Sequence, residues 1–185
     1  MSIFNELKWL VKKSQLSSIK LIVFDVDGVL TDGGLFYDDK GNIQKKFNVK
    51  DGLGIKILQR LGLKIALISG GASGATEKRA ENLNIDFCFT EIPNKSKKIN
   101  ELQNNLNISP RETLFLGDDI NDLVVKPFIS LLVAPKDSNY FYKAKADLVL
   151  KSKGGKGAVR ELAERIVKSL DLLDSFDLQW KEKND

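Results

Sequence analysis

Histidine is absent from this 185-residue chain, and cysteine occurs only once. Without histidine there is no imidazole for acid–base catalysis, for a Ser–His or Cys–His nucleophile, or for metal ligation. Catalysis would have to use carboxylates, lysine, hydroxyls, backbone amides or a hard cation. The single cysteine, Cys88, excludes an intrachain disulfide. It lies in the apolar run IDFCFT, which favours a small buried side chain over a reactive thiol.

Long apolar runs and concentrated basic stretches are also missing. No run approaches the roughly 20 residues that a membrane-spanning helix needs. Charged residues interrupt the N-terminal MSIFNELKWLVKKSQLSS, where a signal peptide would be apolar. The 29 Lys and Arg residues exceed the 25 Asp and Glu residues, but they are spread along the chain without an aromatic-lined basic stripe. We therefore expect a cytoplasmic protein that binds neither membranes nor nucleic acid.

What the chain does contain is an alternation of apolar strands and amphipathic helices. Apolar runs predict strands at IKLIVFD, LKIALIS, DFCFT, ETLFLGDD, ISLLVA and ADLVL. Helical periodicity predicts helices at DGLGIKILQRL, GATEKRAENLN, KSKKINELQNNL and GAVRELAERIVKSL. Apolar strands separated by helices are typical of a central parallel sheet covered on both faces. The predicted fold class is therefore α/β, a Rossmann-like three-layer sandwich.

Two segments stand outside this alternation. A helix is predicted over residues 2–16. Its apolar face comprises Ile3, Phe4, Leu7, Leu10 and Val11. A β-hairpin is predicted over about residues 34–49, around the turn-forming sequence DDKGN, and it would project near the end of the first strand. We expect one domain over residues 1–185, with its core at about 19–168.

Polar residues follow the predicted strands where a parallel sheet binds its ligands, beyond the carboxyl ends. They are Asp25 and Asp27, Ser69 and Gly70, Lys95, and Asp118, Asp119 and Asp122. Carboxylates gathered from separate segments repel one another unless a cation joins them. Because the available ligands are all oxygens, the predicted cation is Mg²⁺.

The residue types in this set fit phosphoryl transfer. A carboxylate beside Mg²⁺ stays ionised and can attack phosphorus, which suits Asp25 as the nucleophile of an aspartyl-phosphate intermediate. Strand alternation returns Asp27 to the cleft, where it can act as general acid and base. Ser69 and the backbone at Gly70 can donate hydrogen bonds to phosphate oxygens, and Lys95 supplies positive charge.

The motifs FDVDGVLTDG, LISG, Lys95 and GDDIND, in this order, resemble the four motifs of the haloacid dehalogenase superfamily of phosphohydrolases. The resemblance covers roughly residues 20–165. It implies that Asp25, the Asp27 carbonyl and Asp118 bind Mg²⁺. It also implies that the remaining acidic residues of the last motif, Asp119 and Asp122, support these ligands from behind.

Within the superfamily, DGVLTDGGLFYDDKGNIQKKFNVKDGLGIKIL and GGKGAVREL are similar to phosphatases of 3-deoxy-D-manno-octulosonate 8-phosphate (KDO 8-phosphate). That resemblance implies a small capless enzyme, with a β-hairpin insertion, that acts on a phosphorylated sugar acid in lipopolysaccharide synthesis. It further implies a homotetramer joined through the hairpins. A flexible segment at residues 154–157 would help to close a neighbouring active site.

One departure keeps alternatives open. After LISG this chain has Gly71, where the family usually has an arginine that can bind phosphate or carboxylate through two hydrogen bonds. A phosphatase for a nine-carbon, sialic-acid-type keto-sugar 9-phosphate and a non-catalytic assembly protein are therefore also considered. A receiver-type phosphoacceptor shares the metal, aspartate, hydroxyl and lysine. Its acceptor lies on a middle strand, however, whereas here the Asp-x-Asp pair closes the first strand.

Overall fold

The computed structural model describes residues 3–71 and 74–172. Its strands are β1 (Leu21–Phe24), β2 (Phe36–Tyr37), β3 (Ile43–Gln44), β4 (Lys64–Ile68), β5 (Phe87–Phe89), β6 (Thr113–Leu116), β7 (Leu131–Ala134) and β8 (Leu148–Val149). Six of them form one parallel sheet in the order β5-β4-β1-β6-β7-β8. The predicted α/β class and its parallel sheet are confirmed, and each predicted apolar run contains one of these strands.

Helices connect successive strands and cover both faces of the sheet. They are α1 (Ile3–Val11), α2 (Lys13–Ser17), α3 (Val49–Arg60), α4 (Gly74–Leu83), α5 (Lys95–Leu106), α6 (Tyr140–Lys145) and α7 (Ala158–Ser169). A 3₁₀ segment at Ile120–Phe128 follows β6. No helix in the described ranges is long and apolar enough to cross a membrane.

The strand period of two divides the core between the two faces of the sheet. Along β1, Ile22 and Phe24 belong to a buried cluster with residues of α3 and α7. Leu21 and Val23 belong to a second cluster, on the other face, with residues of α5 and the 3₁₀ segment. All four side chains are fully buried. The sheet is therefore the middle of three layers, as the apolar strands predict.

The predicted hairpin is present as the antiparallel pair β2–β3, with Phe36 opposite Gln44. Its turn depends on Asp38, whose carboxylate accepts hydrogen bonds from the backbone N–H groups of Lys40 and Asn42 and from the Asn42 amide. These bonds lower the pKa of Asp38. The two residues of β2, Phe36 and Tyr37, are 62% and 64% exposed.

The predicted N-terminal helix is present, with a turn at one residue. A turn at Lys12 divides the helix into α1 and α2, and residue 2 lies outside the described residues. On the predicted apolar face, Leu7, Leu10 and Val11 are mostly exposed, whereas Trp9, outside that face, is buried in the core. The Arg165 guanidinium of α7 lies over the Trp9 ring, 4.3 Å from its centre. Trp9 therefore lies between the core and α7.

A buried carboxylate connects the start of α3 to the start of α7. Asp51 accepts hydrogen bonds from the backbone N–H groups of Gly157, Val159 and Arg160, at 3.0, 2.9 and 3.1 Å. These N–H groups have no acceptor within the helix, because the first turn of a helix leaves its donors unpaired. Asp51 therefore caps α7, although it lies more than 100 positions before that helix along the chain.

Cys88, on the edge strand β5, is half-buried and packs against the core. Burial, together with the nearby Glu77, raises the pKa of its thiol. Cys88 was predicted to be buried, and the structure buries it only in part.

Candidate active site

Three neighbouring strands end at one level beneath a cleft. Phe24, the last residue of β1, lies opposite Leu67 of β4 and Leu116 of β6. The loops that follow these strands line a cleft of about 680 Å³. Most of the predicted site residues are in its wall: Asp25, Asp27, Ser69, Gly70, Lys95, Asp118 and Asp119. A volume of this size suits a small-molecule ligand.

Lys95 lies at the floor of the cleft and contacts Asp122, which is fully buried and does not line the cleft. Lys95 is the first residue of α5, a helix capped by the Asn94 side chain. Its ammonium nitrogen lies 2.7 Å from Asp25 Oδ1 and 2.6 Å from Asp122 Oδ1. The Lys95 side chain is 6% exposed and that of Asp122 is fully buried. One ammonium group therefore joins two carboxylates that come from different loops.

Asp118 completes an acidic cluster with these two residues. One carboxylate oxygen from each of Asp25, Asp118 and Asp122 lies within 4.8 Å of the others. Asp122 has both oxygens engaged, because Oδ1 accepts from Lys95 and Oδ2 accepts from the Asp118 backbone N–H at 3.2 Å. Asp25 and Asp118, by contrast, line the cleft. The geometry thus favours Asp122 as the supporting residue and the other two as groups that meet a ligand.

The cluster carries more negative charge than its lysine balances. Burial, followed by repulsion from Asp25 and Asp122, raises the pKa of Asp118 to about 8. Burial and the Asp122 charge likewise raise the pKa of Asp25 to about 6, against the opposing effect of Lys95. Burial lowers the pKa of Lys95, but the two carboxylates outweigh it and raise the value above normal. Three carboxylates facing one ammonium group leave a deficit that a divalent cation would remove.

The donor set fits a hard cation. The side chains at the cluster offer carboxylate oxygens, and the cluster contains no sulfur or imidazole. Gly28 makes room for this arrangement: its φ is +83°, and a Cβ added there would overlap Asp118 Oδ2. A residue with a side chain at position 28 would therefore displace one of the carboxylates that faces the cleft.

The segment at residues 154–157, predicted to be flexible, is instead largely buried against its own chain. The backbone N–H of Gly155 donates to Val29 O at 2.8 Å. A Cβ at Gly154 would overlap the Gly28 carbonyl. The segment therefore packs beneath the loop that carries Asp27 and Gly28, and it supports that loop within one chain.

Asp27 lies at the mouth of the cleft, as strand alternation predicts. Val26 is fully buried, whereas the Asp27 side chain is 35% exposed. Asp27 Oδ2 accepts a 2.8 Å hydrogen bond from Lys45, which directly follows β3 of the hairpin. The Thr31 hydroxyl lies 3.5 Å from Oδ1. Our sequence reasoning did not identify Lys45, because nothing in a lysine pair on a hairpin indicates which aspartate it reaches.

Ser69 and Gly70 close the opposite side of the cleft. Ser69 is 1% exposed, and its hydroxyl oxygen accepts from the Gly71 backbone N–H at 3.2 Å. A Cβ at Gly71 would lie 3.9 Å from Ser69 Oγ and 4.0 Å from Asp27 Oδ2. Position 71 therefore stands between the two predicted functional groups, and glycine leaves that space open.

Asp119 plays a different part from its neighbour Asp118. It is exposed, and its side chain accepts from the Ile120 backbone N–H at 2.7 Å, which caps the 3₁₀ segment. Its charge contributes to the raised pKa of Asp118. The structure also adds Asn139 to the cleft wall, where its backbone N–H donates to Asp118 O at 2.8 Å. Asn139 had no recognisable motif in the sequence.

Comparison with known proteins identifies the same family over most of the chain. Two family models, each described as haloacid dehalogenase-like hydrolase, match residues 48–124 and 90–162. The 3-deoxy-D-manno-octulosonate 8-phosphate phosphatase of Haemophilus influenzae is 35% identical over 165 residues, which cover 89% of this chain and 92% of that protein.

Solved structures agree with the fold. The Moraxella catarrhalis 3-deoxy-D-manno-octulosonate 8-phosphate phosphatase, in complex with magnesium, phosphate and KDO, is 31% identical. It matches with a TM-score of 0.87 over 91% of this chain and 97% of that one. The cobalt-bound Haemophilus influenzae phosphatase is 34% identical, with a TM-score of 0.84 over 89% and 99% of the two chains.

Proposed function

The chain belongs to the haloacid dehalogenase-like hydrolases, as a phosphoric monoester hydrolase, and on that premise we propose that it hydrolyses KDO 8-phosphate to KDO and phosphate. The observation that carries this proposal is the Asp25–Lys95–Asp122 arrangement, with Asp118 beside it, at the floor of an open cleft. It offers a nucleophile, a cation site and a positive charge within one small volume. The named relatives support the substrate.

Mg²⁺ is the proposed metal, held by the carboxylates of Asp25 and Asp118 and by the backbone carbonyl of Asp27. Bound there, the ion would neutralise the phosphoryl charge and keep the carboxylates ionised. Asp122 would stay behind these ligands, because Lys95 and the Asp118 N–H occupy its oxygens. The excess negative charge and the all-oxygen donor set support this assignment.

In the proposed first step a carboxylate oxygen of Asp25 attacks phosphorus. The ester P–O bond breaks, and Asp27 gives its proton to the departing alkoxide. Water then attacks the phosphorus of the aspartyl phosphate and passes a proton to Asp27. This second step releases inorganic phosphate and restores the Asp25 carboxylate, so each group returns to its starting state.

Phosphate oxygens would be held from two sides. The Ser69 hydroxyl and the backbone N–H of Gly70 lie on one side of the cleft, and the Lys95 ammonium lies at its floor. Preorganised donors of this kind stabilise the charge on the transferring phosphoryl group and supply a large part of the acceleration in phosphoryl transfer. Asp119 would act only through the charge it adds near Asp118.

We also propose that the enzyme is a cytoplasmic homotetramer assembled through its hairpins. The exposed aromatic pair of β2, Phe36 and Tyr37, supports the assembly, because large apolar side chains are favoured at interfaces. Light scattering coupled to size exclusion tests it. A Phe36→Ser/Tyr37→Ser double variant should dissociate, whereas a variant at the exposed Leu10 of α1 should not. Wild-type protein that elutes as a monomer would refute this part.

A nine-carbon keto-sugar acid 9-phosphate is the second candidate substrate. The observation that favours it is Gly71, whose missing side chain leaves space beside Ser69 and Asp27. The described residues place no separate cap over the cleft, so selectivity must come from its rim. A larger sugar acid can enter an uncapped site more easily than it can enter a site closed by a cap.

A panel of phosphates, with MgCl₂ or with a chelator, tests the proposal. Phosphate release should be fastest from KDO 8-phosphate or a nine-carbon keto-sugar 9-phosphate, and chelation should abolish it. Asp119→Asn serves as the matched control for Asp118→Asn, because the residues are adjacent but only Asp118 belongs to the cluster. If no keto-sugar acid phosphate is hydrolysed, the substrate assignment is wrong. A stable phosphoprotein that never releases phosphate would favour a phosphoacceptor module instead.

A further inference from the structure

We propose that Lys45 is a positioning residue for the acid–base step, through which the β-hairpin holds the Asp27 carboxylate in its working orientation. The inference rests on the function proposed above, since it requires Asp27 to exchange protons with the leaving group and with water. It concerns a residue on the hairpin, outside the acidic cluster.

The environment of Lys45 differs from that of the rest of the hairpin. Phe36 and Tyr37 on the hairpin are mostly exposed, yet the Lys45 side chain is only 2% exposed. Its ammonium nitrogen lies 2.8 Å from Asp27 Oδ2. The adjacent Lys46 also pairs with an aspartate, Asp32 at 2.9 Å, but its side chain is 65% exposed. Two neighbouring lysines therefore make similar ion pairs, and only one of them is withdrawn from solvent.

Burying a lysine costs several kcal/mol of desolvation free energy, so a buried ammonium is retained where its partner matters. The partner here is the side chain placed to act as general acid and base. Among the described residues, the other hydrogen bond to its carboxylate comes from Thr31 at 3.5 Å, which is at the weak limit of hydrogen-bond geometry. Lys45 is thus the strong constraint on which way Asp27 faces.

The position of the pair explains why that constraint bears on catalysis. A Cβ at Gly71 would lie 4.0 Å from Asp27 Oδ2, so the pair borders the cleft on the side where the chain leaves space for the sugar. Lys45 contacts Oδ2, the oxygen nearest this space, whereas Oδ1 lies near the buried Thr31 hydroxyl, so Lys45 sets the direction in which the carboxylate meets the cleft. Acid–base assistance of about 10²- to 10⁴-fold depends on the reacting oxygen being within hydrogen-bond reach. If the Asp27 side chain rotated freely, part of this rate assistance would be lost.

Leaving-group dependence separates this role from a merely structural one. An alkyl leaving group such as a sugar needs a proton as it departs, whereas a nitrophenolate leaves without one. Lys45→Met should lower kcat/KM for the sugar phosphate by about tenfold or more, and for p-nitrophenyl phosphate by less than about threefold. Lys46→Met, the matched control, should change neither value. Lys45→Arg keeps the charge and the donors, and it should recover most of the lost activity.

A double-mutant cycle asks whether Lys45 acts through Asp27. In an Asp27→Asn background, Lys45→Met should produce no further loss with either substrate. Equal losses with the two substrates, or an added loss in the Asp27→Asn background, would overturn the inference and leave Lys45 as a structural residue. Wild-type protein inactive on both substrates would refute the proposed function. If wild type is active and the Lys45→Met variant has the same kcat/KM values, only the role of Lys45 is refuted.

Discussion

Replacing Asp118 by asparagine tests whether the acidic cluster is built for a cation. In the folded protein without metal, burial and the charges of Asp25 and Asp122 raise the pKa of Asp118 from 3.8 to about 8. A carboxyl whose folded pKa lies above its unfolded pKa opposes folding once it ionises. Its favourable contribution is therefore present below about pH 4 and is lost as the pH rises through about 8.

The size of the effect follows from the same two values. The interval from 3.8 to about 8 corresponds, at about 1.4 kcal/mol per pH unit, to an upper limit of about 6 kcal/mol. Asp118 is half-buried, so solvent screening reduces this figure, and we expect about 2–3 kcal/mol at pH 8. Asparagine keeps the shape and removes the charge. The metal-free variant should therefore be more stable than wild type by about this amount at pH 8, and by little at pH 4.

Urea unfolding in the presence of a chelator measures the difference at several pH values, and titration with MgCl₂ should then reverse the order. A ligand at 1,000 times its dissociation constant stabilises a fold by about 4.1 kcal/mol, which exceeds the expected deficit of about 2–3 kcal/mol. Wild type should gain this stabilisation and Asp118→Asn should not. Asp119→Asn, as the control, should respond to MgCl₂ as wild type does. A free-energy difference that does not change with pH, or equal responses of wild type and Asp118→Asn to MgCl₂, would refute the cation-site reasoning.

Three further predictions address the other parts of the site and its support. Asp25→Asn should reduce phosphate release by at least about 10³-fold, with an unchanged far-UV circular dichroism spectrum, because it removes the nucleophilic carboxylate and keeps the shape of the side chain. Gly28→Ala should weaken Mg²⁺ binding measured by calorimetry and lower the unfolding free energy by about 1–2 kcal/mol, since φ is +83° and the new Cβ overlaps Asp118. Asp51→Ala should cost about 2–4 kcal/mol in chemical unfolding by leaving three N–H groups at the start of α7 without an acceptor, and Asp51→Asn should recover part of the loss. Unchanged activity, unchanged metal affinity or unchanged stability, respectively, would contradict them.

The fold was predictable where its signal is local. The helix predicted at KSKKINELQNNL has the bounds of α5, Lys95–Leu106, because Asn94 supplies a capping side chain and the apolar positions recur at helical spacing. Alternation along β1 also predicted that Val26 is buried and that Asp27 returns to the cleft. Such inferences need only the period of the backbone and the chemistry of the side chains.

The N-terminal helix shows where local signals fail. Periodicity left open whether its apolar face docks on the domain or meets a partner; Leu10 and Val11 are exposed, and Trp9 is the residue that is buried. The choice between the two faces depends on Arg165 and the core under α7, more than 150 residues away along the chain. Periodicity identifies an amphipathic helix, but it does not identify the surface that the helix meets.

The candidate site divides in the same way. The sequence by itself determined which chemistry is possible: no imidazole, and acidic, hydroxyl and ammonium groups placed at the ends of apolar strands. Only the tertiary structure decided that Asp122 is the fully buried partner of Lys95 while Asp118 borders the cleft, and that Lys45 reaches Asp27 from the hairpin. Side-chain types and backbone periods are properties of short segments. Charge separation, desolvation and hydrogen-bond distance arise only when packing brings distant segments within a few ångströms of each other.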